Sequence, residues 1–188
     1  SRADAQKERA LNSAIFTSSK TVLYDNPQMT VRDNNLIKKI IKQPDLAVID
    51  RNLEIPINSK IFKDKSRLIY IFTSRTRSSK KYKSNVILVK VSSRNNLLDI
   101  NECLEYLAKQ DVNNVFLESG SRLMSSFLKD DLIDELLLYV APKILGSTSI
   151  SFSGVKHIKK LSDKINFSIN DMILINKELK IKLEKQYV

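Results

Sequence analysis

The stretch "VFLESGSRLMSSF", residues 115–127, opens as an apolar run of strand length and passes into a helix from about Ser121 to Leu128. A strand that leads straight into a helix is the repeating joint of an α/β fold. In open α/β sheets that joint is also where ligands bind, outside the carboxyl ends of the strands and beside helix N-termini. Glu118 closes the strand with a carboxylate, which needs water or a partner because burying it unpaired is costly. It reads either as a solvated strand end or as a hydrogen-bond acceptor for a polar substrate. Gly120, one of only three glycines in the chain, reads either as a tight turn or as a point where the backbone lets a ligand come close. The helix start beyond it offers unpaired N–H groups and a partial positive charge, which suit a pyrophosphate. Ser121, Ser125 and Ser126 add small hydroxyls, although the full G-x-G-x-x-G fingerprint is not present.

Outward from this joint the pattern repeats. "DLAVID" (45–50), "RLIYIFT" (67–73) and "NVILVKV" (85–91) are continuous apolar runs, which suit strands buried on both faces of a largely parallel sheet. "SAIFTSS" (13–19) reads as another short buried strand, ending in hydroxyls. The residues before it have good helix formers and no Gly or Pro, and predict a helix through about Leu11. "DINECLEYLAKQ" (99–110) places Asp99 three residues before Glu102, a capping-box spacing, with Cys103, Leu104 and Leu107 at helical intervals. "IDELLLYVAPKILG" (133–146) supplies a strand stopped by Pro142 and Gly146. "INFSIN" (165–170) and "MILINKELKIKLE" (172–184) alternate with period two and predict a terminal antiparallel hairpin. The expected fold is a single α/β domain with a mixed, mostly parallel sheet flanked by helices.

At 188 residues such a domain buries roughly 70% of the surface its unfolded chain exposes. Apolar runs such as "LLLYVA" (136–141) are far too short to span a bilayer, and Ser1 opens no charged-then-apolar leader, so no membrane partner and a cytoplasmic location are expected. Cys103 is the only cysteine, which excludes an internal disulfide and fits a reducing compartment. With His157 it falls short of a zinc ligand set, so no metal is expected. The net charge of +11 raises the question of nucleic acid. The excess is mostly Lys, spread along the chain with Ile and Asn. Its densest patch, "TSRTRSSKKYKSN" (73–85), carries one aromatic, Tyr82, and reads as a polar loop between strands.

A second candidate cluster lies in "TVLYDNPQMTVR" (21–32). Thr21 and Asp25 are read as flanking a loop after a strand, with Asn26-Pro27 marking a turn that Asp25 initiates. Asp25 serves equally as a turn residue and as a ligand contact. Arg32 is either a surface arginine or a planar cation that grips a phosphate with two hydrogen bonds.

The blocks "ERALNSAIFTSSKTVLYDNPQMTVR" (8–32) and "NVFLESGSRLMSSFLKDDLIDELLLYVAPKILG" (114–146) together resemble the reductase domain of bacterial riboflavin-biosynthesis deaminase–reductases. The resemblance rests on T-V-L-x-D-x-P-x-x-T-V-R, E-x-G-x-x-L and D-E-L-x-x-Y-x-A-P-K-x-x-G. It implies a dihydrofolate-reductase-like fold and a hydride transfer from NADPH that turns the ribosylamino side chain of a phosphorylated aminopyrimidine into a ribitylamino one. By position it implies cofactor contacts at Thr21, Asp25 and the helix-start segment Gly120, Ser121, Arg122, Leu123, Met124, Ser125 and Ser126. It implies substrate contacts at Arg9, Met29, Arg32 and Glu118. The family commonly forms homodimers through its reductase domains. No residue is assigned as a general acid.

Three departures accompany the resemblance. The H-x-E and P-C-x-x-C signatures of the zinc deaminase half are not found in these residues, so a separate deaminase is expected to supply the substrate. A strand with a Ser-Leu-Asp-Gly-like segment that the family carries before its first helix is not found either. "VIDRNLEIP" (48–56) has Arg51 where the family has a small serine near the cofactor, open to a phosphate contact, a crowded site or a tolerated surface substitution. Two other functions fit parts of the chain: a basic, inactive relative that binds nucleic acid, and a reductase of another small molecule.

Overall fold

A computed structural model describes residues 2–76, 80–146, 148–155, 159–160 and 164–186. The chain forms two compact units, one ending at Gly120 and the other starting at Ser121.

The first unit is built on five parallel strands: β1 (Ala14–Ser18), β2 (Asp45–Ile49), β3 (Ile69–Thr73), β4 (Val86–Lys90) and β7 (Val115–Leu117), in the order β4-β3-β2-β1-β7. The apolar runs form these strands because side chains alternate between two faces and both faces are covered. On one face Ile15, Leu46, Val48, Ile69 and Ile71 pack with Val22, Met29, Ile55 and Ile61. On the other, Phe16 stacks on Phe72, and Tyr106 meets Tyr70 and Phe72 edge-on. Tyr106 belongs to α4 (Ile100–Ala108), which buries Ile100, Cys103 and Leu107. Each fully buried Ile or Phe adds about 1.5–3 kcal/mol of hydrophobic stabilisation. The edge strands β4 and β7 are only partly buried, so burial on both faces holds for the three central strands.

Helix α1 (Arg2–Leu11) precedes β1 as expected. Asp99 caps α4 by accepting from the Glu102 N–H at 3.2 Å. The box is not reciprocal: the Glu102 carboxylate accepts from the Ser92 N–H at 2.7 Å. Ser92 lies just before a two-residue ladder, β5 (Ser93–Arg94) with β6 (Leu97–Leu98), turned by Asn95 and Asn96 at positive φ. The segment after β1 departs from expectation. It is not a loop but α2 (Ser19–Asp25), capped by the Ser18 hydroxyl and ended by Asn26 in the left-handed region. Asn26-Pro27 therefore terminates a helix, because proline cannot continue one. A second short helix, α3 (Asn34–Ile37), starts at the Asp33 side chain.

The second unit holds α5 (Ser121–Lys129) and a three-stranded antiparallel sheet, β8 (Glu135–Val140), β9 (Phe167–Ile175) and β10 (Glu178–Lys185), in the order β8-β10-β9. The terminal hairpin exists, but its turn is at Asn176-Lys177, inside the second of the two runs expected to be strands. Both turn residues have positive φ, the geometry of a two-residue hairpin loop that matches strand twist. A register shift between Lys182 and Leu183 leaves Asn170 of β9 as the extra residue of a bulge. Among the described residues no helix is long and apolar enough to cross a membrane.

Candidate functional site

In the first unit the strand order reverses at β1: β2, β3 and β4 follow on one side and β7 lies on the other. The crevice outside the carboxyl ends of β1 and β7 is thus the topological switch point, the usual ligand position in such sheets. Ser18 and Glu118 stand there, and the Glu118 N–H extends the β1–β7 ladder to the Phe16 carbonyl at 2.9 Å. Thr17 is fully buried beside them, and its hydroxyl has no hydrogen-bond partner among the described residues.

Glu118 is not a bare strand end. Arg9 of α1 donates from Nε to Oε2 at 2.8 Å and from Nη2 to Oε1 at 2.7 Å, a two-pronged pair between residues 109 positions apart. The same guanidinium donates from Nη1 to the Thr30 carbonyl at 2.9 Å and lies 3.8 Å from Met29 Sδ. Arg9 is 7% exposed, while the Glu118 side chain keeps 30% of its surface. Three of the four residues expected to meet a substrate, Arg9, Met29 and Glu118, are therefore in one cluster. Arg32 is exposed at the end of the adjoining loop, and its N–H donates to Gln6 Oε1 at 2.6 Å.

Thr21 and Asp25 sit four residues apart on α2, hence on one helix face. Thr21 contacts the capping Ser18 hydroxyl through its own hydroxyl at 3.3 Å. Asp25 is exposed at the carboxyl end of α2, where a negative charge opposes the helix dipole. Gly120 has no positive φ, and a Cβ built there meets no described atom within 4 Å. Neither a left-handed turn nor internal packing calls for glycine at this position. In α5, Ser121 begins the helix, Arg122 is exposed, and Leu123 and Met124 are half-buried. The Ser125 hydroxyl donates back to the Ser121 carbonyl and accepts from the Gly154 N–H at 2.6 Å, and Ser126 donates to the Arg122 carbonyl at 3.3 Å.

Sequence reading missed Arg67, which is 2% exposed. It donates from Nη2 to the Gln28 carbonyl at 2.7 Å and from Nη1 to the carbonyls of Met29 and, at 3.4 Å, Pro44. Burial, with the positive charge of Arg9 acting in the same direction and the Asp64 carboxylate against it, brings the Arg67 guanidinium down to about 10. Nothing local marked it, since a basic residue just before an apolar strand is ordinarily a solvated flank.

Arg51 follows β2; its guanidinium donates to Asn96 Oδ1 at 3.1 Å, and its carbonyl accepts from the Thr73 hydroxyl at 2.8 Å. In the basic stretch of residues 73–85, positions 77–79 lie outside the described residues. Lys80 donates to the Leu53 and Ile55 carbonyls, and Lys83 to that of Phe62 at 2.7 Å. These two ammonium groups tie loops of the protein together, while Arg75 and Lys81 of the same stretch are exposed. Among the described residues no group of three His, Cys, Asp or Glu side chains is placed to hold a metal; His157 lies outside them.

A parallel sheet with its switch point beside β1, followed by an antiparallel strand set, defines a dihydrofolate-reductase-like protein. Residues 1–175 match the RibD C-terminal domain, and the chain belongs to that family. It is 34% identical to the riboflavin biosynthesis protein RibD of Buchnera aphidicola subsp. Baizongia pistaciae, over 98% of this chain and 52% of that protein. It is 31% identical to the 5-amino-6-(5-phosphoribosylamino)uracil reductase of Buchnera aphidicola subsp. Acyrthosiphon pisum, over 100% of this chain and 93% of that one. Acinetobacter baumannii RibD superposes with a TM-score of 0.83 at 26% identity, over 98% of this chain and 50% of the other. The chain thus spans about half the length of these RibD proteins and nearly all of the Acyrthosiphon-associated reductase.

Proposed function

We propose that the protein catalyses the NADPH-dependent reduction of 5-amino-6-(5-phosphoribosylamino)uracil to its ribitylamino product in riboflavin biosynthesis. The observation that carries the reading is the convergence of Arg9, Met29 and Glu118 at the switch point, in a chain of this family. The deamination that makes the substrate is supplied outside residues 1–188.

The residues fit a dinucleotide. Gly120 leaves room that no described atom fills, and the first turn of α5, directly after it in sequence, carries N–H groups with no intrahelical partner. Asp25 opposes the dipole of its own helix, so local stability does not account for it; an exposed carboxylate on the same helix face as Thr21 suits ribose hydroxyls. Bound NADPH supplies the hydride, and the protein's part is to bind and orient both ligands. Arg9 holds the Glu118 carboxylate with two charge-assisted bonds and fixes its plane. A carboxylate has about four acceptor directions, so Glu118 retains capacity for substrate hydroxyls or amines on its exposed edge. Arg32 projects from the end of the adjoining loop into solvent as the cation for the substrate phosphate.

The test is NADPH oxidation by the purified protein, with and without the phosphorylated aminopyrimidine. Oxidation that depends on the aminopyrimidine is expected. A cooperatively folded protein that oxidises no NADPH with this substrate would contradict the reading.

A further inference from the structure

The loop of residues 28–32 has no regular secondary structure, yet four side chains from three other places in the chain hold its backbone. Arg67 takes the Gln28 and Met29 carbonyls, and Arg9 takes that of Thr30. Gln43 donates to the Val31 carbonyl at 2.9 Å and accepts from the Val31 N–H at 2.8 Å, while Gln6 accepts from the Arg32 N–H. Every residue of the loop is thereby fixed through its main chain.

The arrangement is costly in two ways. Met29 is held at φ 52, a left-handed conformation that a side chain with a Cβ disfavours. Arg67 is a buried cation that the Asp64 and Asp45 carboxylates favour from a distance; among the described residues it forms no direct ion pair, and its Nε has no hydrogen-bond partner. As filler, an apolar side chain would cost less. What an apolar side chain cannot do is gather carbonyls from two separate segments, Gln28–Met29 and Pro44. Strain and a buried charge concentrated on one irregular loop mark a place where conformation is specified for use.

Resting on the reductase reading above, we propose that Arg67 is a positioning residue for the substrate. It sets the path of the 28–32 loop, so that Met29 lies against Arg9 and Arg32 leaves the loop in a fixed direction. Arg67 acts through these residues and does not itself meet the ligand.

The test compares Arg67→Lys and Gln43→Met with the unaltered protein by steady-state kinetics and thermal melting. Lysine keeps the charge but lacks the second nitrogen, which holds the Gln28 carbonyl; methionine at position 43 removes both bonds to Val31. In folded variants the KM for the aminopyrimidine phosphate is expected to rise roughly ten- to hundredfold, the worth of one or two charge-assisted hydrogen bonds, with the KM for NADPH near its original value. Faster amide exchange at Val31 and Arg32 should accompany it. If Arg67→Lys fails to fold, Gln43→Met decides alone. An unchanged aminopyrimidine KM, or a fall in kcat with both KM values unmoved, overturns the positioning role. An unaltered protein that oxidises no NADPH with the aminopyrimidine instead removes the reductase reading and this role with it.

Discussion

The two units of the chain solve the burial problem in opposite ways. In the first, the strands β1, β2 and β3 are almost wholly buried and read as unbroken apolar runs. In the second, β9 is exposed along most of its length and leaves Ile169, Met172 and Leu174 more than half exposed. A sheet covered on both faces has little freedom to move, and the polar groups at its strand ends inherit that rigidity. The Arg9–Glu118 pair and the clamped loop are both in the first unit. Rigidity there is what a site that orients two ligands requires.

The sharpest way to break this comparison is to remove an equivalent apolar side chain from each unit. Phe72→Ala empties a position packed between Phe16 and Tyr106 and should cost about 3–5 kcal/mol in urea unfolding. Leu174→Ala, at 76% exposed, should stay within about 0.5 kcal/mol. Equal losses would show that β9 is as well covered as β3.

Glu118→Gln separates function from mere solvation of a strand end. It leaves the 7%-exposed Arg9 without its anionic partner and should lower stability by about 1.5–3 kcal/mol, read from the urea midpoint. A variant as stable as the original would mean the pair is ornamental to the fold.

Lys177→Gly sharpens the picture of the second unit. Lys177 has φ 73 in the hairpin turn, and glycine there should stabilise the protein by about 1 kcal/mol, seen as a raised melting temperature. A lowered one would contradict the assigned turn.

The smallest effect concerns pH. Hydrogen bonding by Ser92, through side chain and backbone N–H, holds the Glu102 carboxyl below its usual 4.5. A depressed carboxyl stabilises the fold above that usual value and loses the contribution as pH falls through its lower, folded value. Glu102→Gln should therefore lower stability slightly at neutral pH and leave it nearly unchanged in acid, which flattens the acid limb of the stability profile.

The parallel strands, α1, α4, α5 and the joint at Glu118 were legible because each is a local pattern. Helix α2 was not, because "SKTVLYD" is rich in β-branched and aromatic residues with weak helix propensity and ends in Asn-Pro. Its signal was the capping Ser18. The hairpin turn was hidden because Asn-Lys lacks the glycine that usually marks such turns. Within the site, the family pattern pointed to Arg9, Met29 and Glu118, and the chain brings them together across 109 positions. Arg67 and Gln43 escaped because their bonds go to main-chain carbonyls and amides, which leave no trace in residue type.

The most direct measurement is the steady-state kinetics of Arg32→Ala beside those of the unaltered protein. Arg32 is exposed, so melting should not change, while the KM for the aminopyrimidine phosphate should rise at least roughly tenfold and that for NADPH should stay put. An unaltered aminopyrimidine KM in the folded variant would contradict a phosphate site at the end of this loop.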